Sequence, residues 1–147
     1  MRKILLLLLI PLGALIGCDA LKTNATTKDF RTATTEWKSQ NIANYEFTLT
    51  KMCFCAFTTP VKVVVKDHKI NAIQDSLTGA ALDYPKEWFQ TIDELFSWIE
   101  EARAKKPELL VVKYDAQYGF PAEIQYDYSK MMADEEFSLT ITNFKKR

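Results

Sequence analysis

Histidine is almost missing from this chain, with His68 the only one in 147 residues. Zinc sites of the histidine-rich kind are therefore excluded, and a serine triad would have to use His68 itself. Glycine is scarce as well: Gly13, Gly17, Gly79 and Gly119 are the full set, and no phosphate-cradling loop can be drawn through them. Positive charge is not in excess, since 19 basic residues face 19 acidic ones. Nucleic acid is thus not an expected partner, because such binding rests on clustered cations. No apolar run reaches the roughly 20 residues that a membrane-spanning helix needs. Cysteine is confined to Cys18, Cys53 and Cys55.

What is present begins with Met1, Arg2 and Lys3, followed by an apolar run from Ile4 to Ile16 that only Pro11 and Gly13 interrupt. A charged segment before a short apolar one reads as a secretory signal peptide. It ends in Leu15, Ile16, Gly17 and Cys18, which resemble the lipobox of bacterial lipoproteins. In that family cleavage falls before the cysteine, its sulfur takes a diacylglycerol, and the new amino group is usually acylated. Several acyl chains anchor stably because each buried CH2 contributes about 0.8 kcal/mol. The resemblance implies a signal peptide over 1–17, membrane attachment through lipidated Cys18, and a domain facing the periplasm. An acidic residue after that cysteine, here Asp19, retains lipoproteins at the inner membrane in some enteric bacteria, but the choice between inner and outer membrane stays open. Loss of Arg2 and Lys3 leaves 17 basic against 19 acidic residues, a net charge near −2.

Residues 18–27 read as a lipidated cysteine and a polar, threonine-rich tether, and residues 28–147 as one domain. Within it, Phe30, Ala33 and Trp37 recur at helical spacing over residues 28–40. Tyr45, Phe47 and Leu49 then alternate with polar residues as in a half-buried strand. Pro60 opens a second strand, Val61 to Lys66, and "KDHK" turns it into a third from Ile70 to Asp75. Residues 76–90 read as a long loop carrying Tyr84, Trp88 and Phe89; such loops are often functional, although the aromatics could equally fold back on the core. "TIDE" at residues 91–94 has the form of a capping box, and Ile92, Leu95, Phe96, Ile99 and Ala102 continue it as one apolar stripe that stops before Pro107. Three further strands are predicted at Leu109 to Tyr114, Ala122 to Tyr128 and Phe137 to Phe144. The order, helix, three strands, helix, three strands, argues for an α+β fold with a mainly antiparallel sheet of about six strands and both helices on one face. It also raises the possibility of two copies of one unit. Lys145, Lys146 and Arg147 read as a solvated tail.

The tyrosine strand leading into "CFC" (Cys53 to Cys55), "TIDELF", "YDAQYGFPAEIQYD" (Tyr114 to Asp127) and "MMADEE" (Met131 to Glu136) occur in an order that resembles a family of exported bacterial lipoproteins built on one small domain of unknown function. The resemblance covers about Trp37 to Phe144. It implies an envelope lipoprotein, and as that family has no established activity it carries over no catalytic residue.

Cys53 and Cys55 would lie on one face of a regular strand with alpha carbons about 6.6 Å apart, from a rise of about 3.3 Å per residue. A disulfide prefers about 5.5–6 Å, so a bond between them needs a bent backbone and would be comparatively easy to reduce. With Cys18 taken by lipid in an oxidising compartment, a structural disulfide is the first reading. Three others stay open: buried thiols, in phase with Tyr45, Phe47 and Leu49; thiol exchange, with Lys51 as the neighbouring cation; and a soft Cu(I) site completed by Met52, or by Met131 and Met132. His68 reads as a solvated turn residue. In "DAQYGFP", Gly119 suits a positive φ, Pro121 keeps Phe120 extended, and Asp115 caps the turn. Asp127 with Asp134, Glu135 and Glu136 invites a calcium reading, but Ser129 and Met131 break the EF-hand template, leaving solvated loop charges.

These residues predict a non-enzymatic binding or structural domain, without a cofactor, whose partner is another envelope protein. The expected contact surface combines Tyr84, Trp88 and Phe89 with Met131 and Met132. The alternative is a thiol-redox or Cu(I) protein using Cys53 and Cys55.

Overall fold

The computed structural model describes residues 25, 26, 28–54, 59–129, 131 and 135–147. Its elements are β1 (Ala25–Thr26), α1 (Phe30–Ser39), β2 (Tyr45–Cys53), β3 (Val61–Lys66), β4 (Lys69–Asp75), α2 (Ile92–Ala104), β5 (Leu109–Asp115), β6 (Pro121–Asp127) and β7 (Phe137–Lys146), with a single 3-10 turn at Lys86–Trp88. The fold is α+β. All strand pairs are antiparallel in one sheet of order β1-β5-β6-β7-β2-β3-β4.

The expected six strands are present and a short seventh, β1, joins them. Ala25 and Thr26, expected in the tether, pair with Asp115 and Tyr114 instead. The expected solvated tail is also structured. Lys145 and Lys146 belong to β7 opposite Glu46 and Tyr45, and the Arg147 guanidinium holds the Glu46 carboxylate while its amide donates to Asn44 O at 2.9 Å. A charge run thus closes the end of a strand because a buried carboxylate faces it.

Each helix starts on a side chain that accepts orphan backbone amides. Asp29 Oδ1 takes the amides of Arg31 and Thr32 at 2.9 and 3.1 Å. Thr91 and Glu94 complete the predicted capping box, with Glu94 N donating to Thr91 Oγ1 at 3.2 Å and Thr91 N to Glu94 Oε2 at 2.7 Å. Both helices lie on one face of the sheet. Trp37 of α1 packs edge-on against Tyr45, 5.4 Å between ring centroids, and donates Nε1–H to Asp93 of α2 at 2.9 Å. Tyr45 Oη in turn accepts the amide of Ile92 at 3.0 Å, and Phe96 stacks on Tyr114 of β5. The core therefore sits between α1, α2 and the facing residues of β2, β3, β6 and β7.

The strands β2-β3-β4 and β5-β6-β7 form two meanders joined where β7 pairs with β2. They are not copies of one unit. Superposing β5, β6 and β7 on β2, β3 and β4 keeps their lateral order but reverses strand direction, a rotation that would carry the helix to the opposite face. Both helices occupy the same face, so the repeated order of elements is not a repeated structure.

The two outer edges are treated differently. The β4 edge is covered by the following loop, in which Leu82 N donates to Ile73 O at 2.9 Å and Ala81 bridges Gln74. Among the described residues, β1 covers Tyr114 and Asp115 of the β5 edge. At the β3–β4 hairpin, Asp67 and His68 both take positive φ, 50° and 61°, as a type I′ turn requires. Asn44 Oδ1 and Ala43 O receive their amides at 3.0 Å each.

Candidate functional site

β2 runs three residues beyond the alternating stretch that marks it in the sequence and ends at Cys53. Register then places Met52 opposite Ser138 and Cys53 opposite Phe137 of β7, Phe137 opposite Tyr126 of β6, and Asp127 opposite Leu109 of β5. Alternation divides these residues between the two faces. Tyr126 and Phe137 turn toward α2, where each ring centroid lies 5.2 Å from that of Trp98. Met52, Ser138, Gln125 and Leu109 turn to the face without helices, and at this end of the sheet they line a groove of about 590 Å³ together with Cys53, Phe54, Tyr126, Asp127, Glu136 and Phe137.

The groove rim is apolar and open. Met52 is 68% exposed, Phe54 85%, Leu109 41% and neighbouring Val111 40%. In the β6–β7 connection at the same end of the sheet, Met131 is 95% exposed. Large apolar side chains concentrated in this way mark interaction surfaces more than scattered ones do. Asp127 adds a polar element, because its Oδ1 is buried without a hydrogen-bond partner. Burial, then the charge of Glu135, holds the Tyr126 phenol above its ordinary pKa. Glu135 itself accepts the amide of Ser129 at 2.7 Å.

The sequence-predicted residues are dispersed. Cys18, Cys55 and Met132 lie outside the described residues. Cys53 ends β2 half-buried, on the face of Lys51, whose amine is 5.4 Å from the Phe137 ring centroid and whose pKa is lowered by burial. Phe89 is buried, Tyr84 partly so and packed against the core, and Trp88, 44% exposed, stacks on Tyr84. This cluster follows the loop that covers β4, whereas Met131 lies between β6 and β7, with β2 and β3 separating the two regions. His68 is a turn residue, with Nδ1 at 3.5 Å from Asp93 Oδ2. Asp115 caps the β5–β6 turn by accepting the amides of Gln117 and Tyr118 at 2.9 and 2.6 Å. No group of three or more His, Cys, Asp or Glu side chains suited to a metal ion occurs among the described residues.

Leu109 of the groove is not legible in the sequence, and Asp127 is legible only as one of a group of acidic residues. Leu109 reads as an ordinary strand residue, and only the pairing of β5 with β6 brings it beside Asp127. Phe54 carried a signal, as an aromatic at the point where the alternation of β2 runs out.

No curated protein and no solved structure matches the chain. A family model described as a family of unknown function, DUF6174, matches residues 29–146, from the cap of α1 to the last residue of β7. The chain belongs to the DUF6174 family.

Proposed function

We propose that this protein is a lipid-anchored component of the bacterial cell envelope, tethered through Cys18 after removal of a signal peptide, and that its domain binds an apolar segment of an envelope partner in the groove of Met52, Phe54 and Leu109. The exposed apolar rim carries this reading. Its position relative to the tether supports it. β1 joins β5 at Asp115, whereas Leu109 is at the other end of β5, about 20 Å away at a rise of about 3.3 Å per residue. The seven residue-to-residue steps from Cys18 to Ala25 span at most about 25 Å. The domain is thus held close to the bilayer by one end of the sheet and presents the groove at the other.

A Cys53–Cys55 disulfide belongs to the proposal. It is supported by the assignment of Cys18 to lipid, which leaves Cys53 and Cys55 only each other within the chain. The bond would fix the backbone beside Phe54 and so preorganise the rim.

Photocrosslinking in intact cells tests the binding role. A photoreactive residue at Phe54 or Met131 should yield discrete adducts, lost on Leu109→Asp, while the equally exposed Leu77 should yield none of them. Identical adducts from all three positions would refute the groove. Intact mass of the envelope-derived chain, alkylated before and after reduction, should show acyl chains on Cys18 and two thiols that react only after reduction.

Thiol exchange or Cu(I) binding is the second reading, favoured by Lys51 on the face of Cys53 and by Met52 beside it. Cu(I) titration against a competing chelator decides it: equal binding by the Cys53→Ser, Cys55→Ser double variant removes the metal version.

A further inference from the structure

The outer edge of β5 offers backbone hydrogen bonds that the described chain leaves unused. Glu108 N donates to Tyr128 O at 3.2 Å, directly before the pairs Leu109↔Asp127 and Leu110↔Tyr126. In an antiparallel ladder the bonded positions alternate, so Leu110 and Val112 direct their N–H and C=O groups to β6. Leu109, Val111 and Lys113 direct theirs outward. β1 covers Tyr114 and Asp115, and at the other end the chain turns at Lys106, φ 53°, and Pro107. Between these limits lie five residues, Leu-Leu-Val-Val-Lys, in which Lys113 is the one charge and over which no proline or covering loop occurs among the described residues. β4, at the opposite edge, has such a loop.

We infer that the β5 edge pairs with the β5 edge of a second copy, antiparallel about a two-fold axis at Val111, to form one continuous sheet. The sequence of the window is complementary to itself in this register and favours the second copy over an unrelated strand. Val111 meets its counterpart, Leu110 meets Val112 and Leu109 meets Lys113, so cross-strand neighbours are apolar or β-branched and no like charges oppose. Lys113 is already neutralised by Glu123 on its own sheet, Nζ to Oε2 2.6 Å. The outward groups of Leu109, Val111 and Lys113 become mutual partners. A two-fold axis normal to the sheet also keeps the helices of both copies on one face, leaving the groove open on the other. Five paired residues make a small interface compared with the roughly 1,200–2,000 Å² of stable complexes, so association is expected to be weak in solution and strengthened where copies share a membrane.

Val111→Cys in the full chain, treated in native membranes with a short bismaleimide, should give a homodimer identified by mass. Lys62→Cys, on the interior strand β3 at the far side of the sheet, should give at least tenfold less. Val111→Pro provides the second arm, because the lost N–H faces outward and contributes nothing to β6. This variant should keep its thermal midpoint while the concentration-dependent slowing of amide exchange at Leu109 and Lys113, expected in the parent, disappears. Crosslinking of Val111→Cys to a different protein, no homodimer at all, or exchange at Leu109 and Lys113 independent of concentration in the parent would each overturn the inference.

Discussion

Gly119 shows how one residue fixes the approach of a helix to the sheet. Its φ is +77°, and a Cβ there would come within 2.7 Å of Ala33 O and 2.9 Å of Glu36 Cβ on α1. Gly119→Ala combines left-handed strain with this clash and should destabilise the fold by about 1–3 kcal/mol in urea denaturation. Tyr45 is equally specific, since its hydroxyl receives the buried first amide of α2. Tyr45→Phe leaves that N–H unsatisfied and should cost about 1–3 kcal/mol by the same measurement. Burial raises the pKa of Tyr45, and it pushes that of Tyr114 up to about 12, with Arg103 partly opposing. The unfolded phenol ionises near 10. The neutral side chain therefore stabilises the fold fully below pH 10, and this contribution is lost as pH rises from 10 toward 12. Tyr114→Phe should flatten the fall of the urea midpoint over that interval and leave its pH dependence below pH 9 unchanged.

At the scale of elements, α2 depends on both its apolar stripe and its cap. Ile92, Leu95, Phe96, Ile99 and Ala102 are all buried, and Thr91, itself buried, closes the N-terminus with Glu94. Thr91→Ala removes an acceptor at a helix end that water does not reach, at a cost of about 1–2 kcal/mol. Helicity by circular dichroism should remain at low temperature while the thermal midpoint falls. The two helices and the alternating strand from Tyr45 were legible because side-chain period reports directly on the face that is buried. β1 was not. Ala25 and Thr26 have no period to read, and only the free end of β5 makes them a strand. Lys145, Lys146 and Arg147 are exposed as a solvated tail would be, but their place in and beside β7 is not legible for a similar reason: the partner of Arg147, Glu46, lies about 100 residues earlier in the chain.

Over the whole molecule, the β2–β7 pairing joins segments from opposite ends of the domain. Trp37 of the first half meets Phe120 and Phe144 of the second, at 6.4 and 5.9 Å between centroids. Neither meander has a complete core, so unfolding should be one cooperative transition, with tryptophan fluorescence and far-ultraviolet circular dichroism giving coincident curves. Two separated midpoints would contradict this. Pairing over such a sequence distance also predicts folding in milliseconds to seconds rather than microseconds.

The α+β class, the capped start of α2, the Asp67–His68 and Asp115–Phe120 turns and most strand positions are legible in the sequence, because each follows from local dihedral preference, capping chemistry or periodic burial. Which residues share a surface follows instead from how the strands pair. Pairing of β5 with β6 and of β7 with β2 gathers Met52, Leu109, Gln125 and Ser138 from four strands into one groove, while the aromatic cluster of Tyr84, Trp88 and Phe89 is drawn to the β4 side of the sheet. Strand order and register are set by burial summed over the whole chain, and a residue's own neighbours in sequence carry no record of that sum.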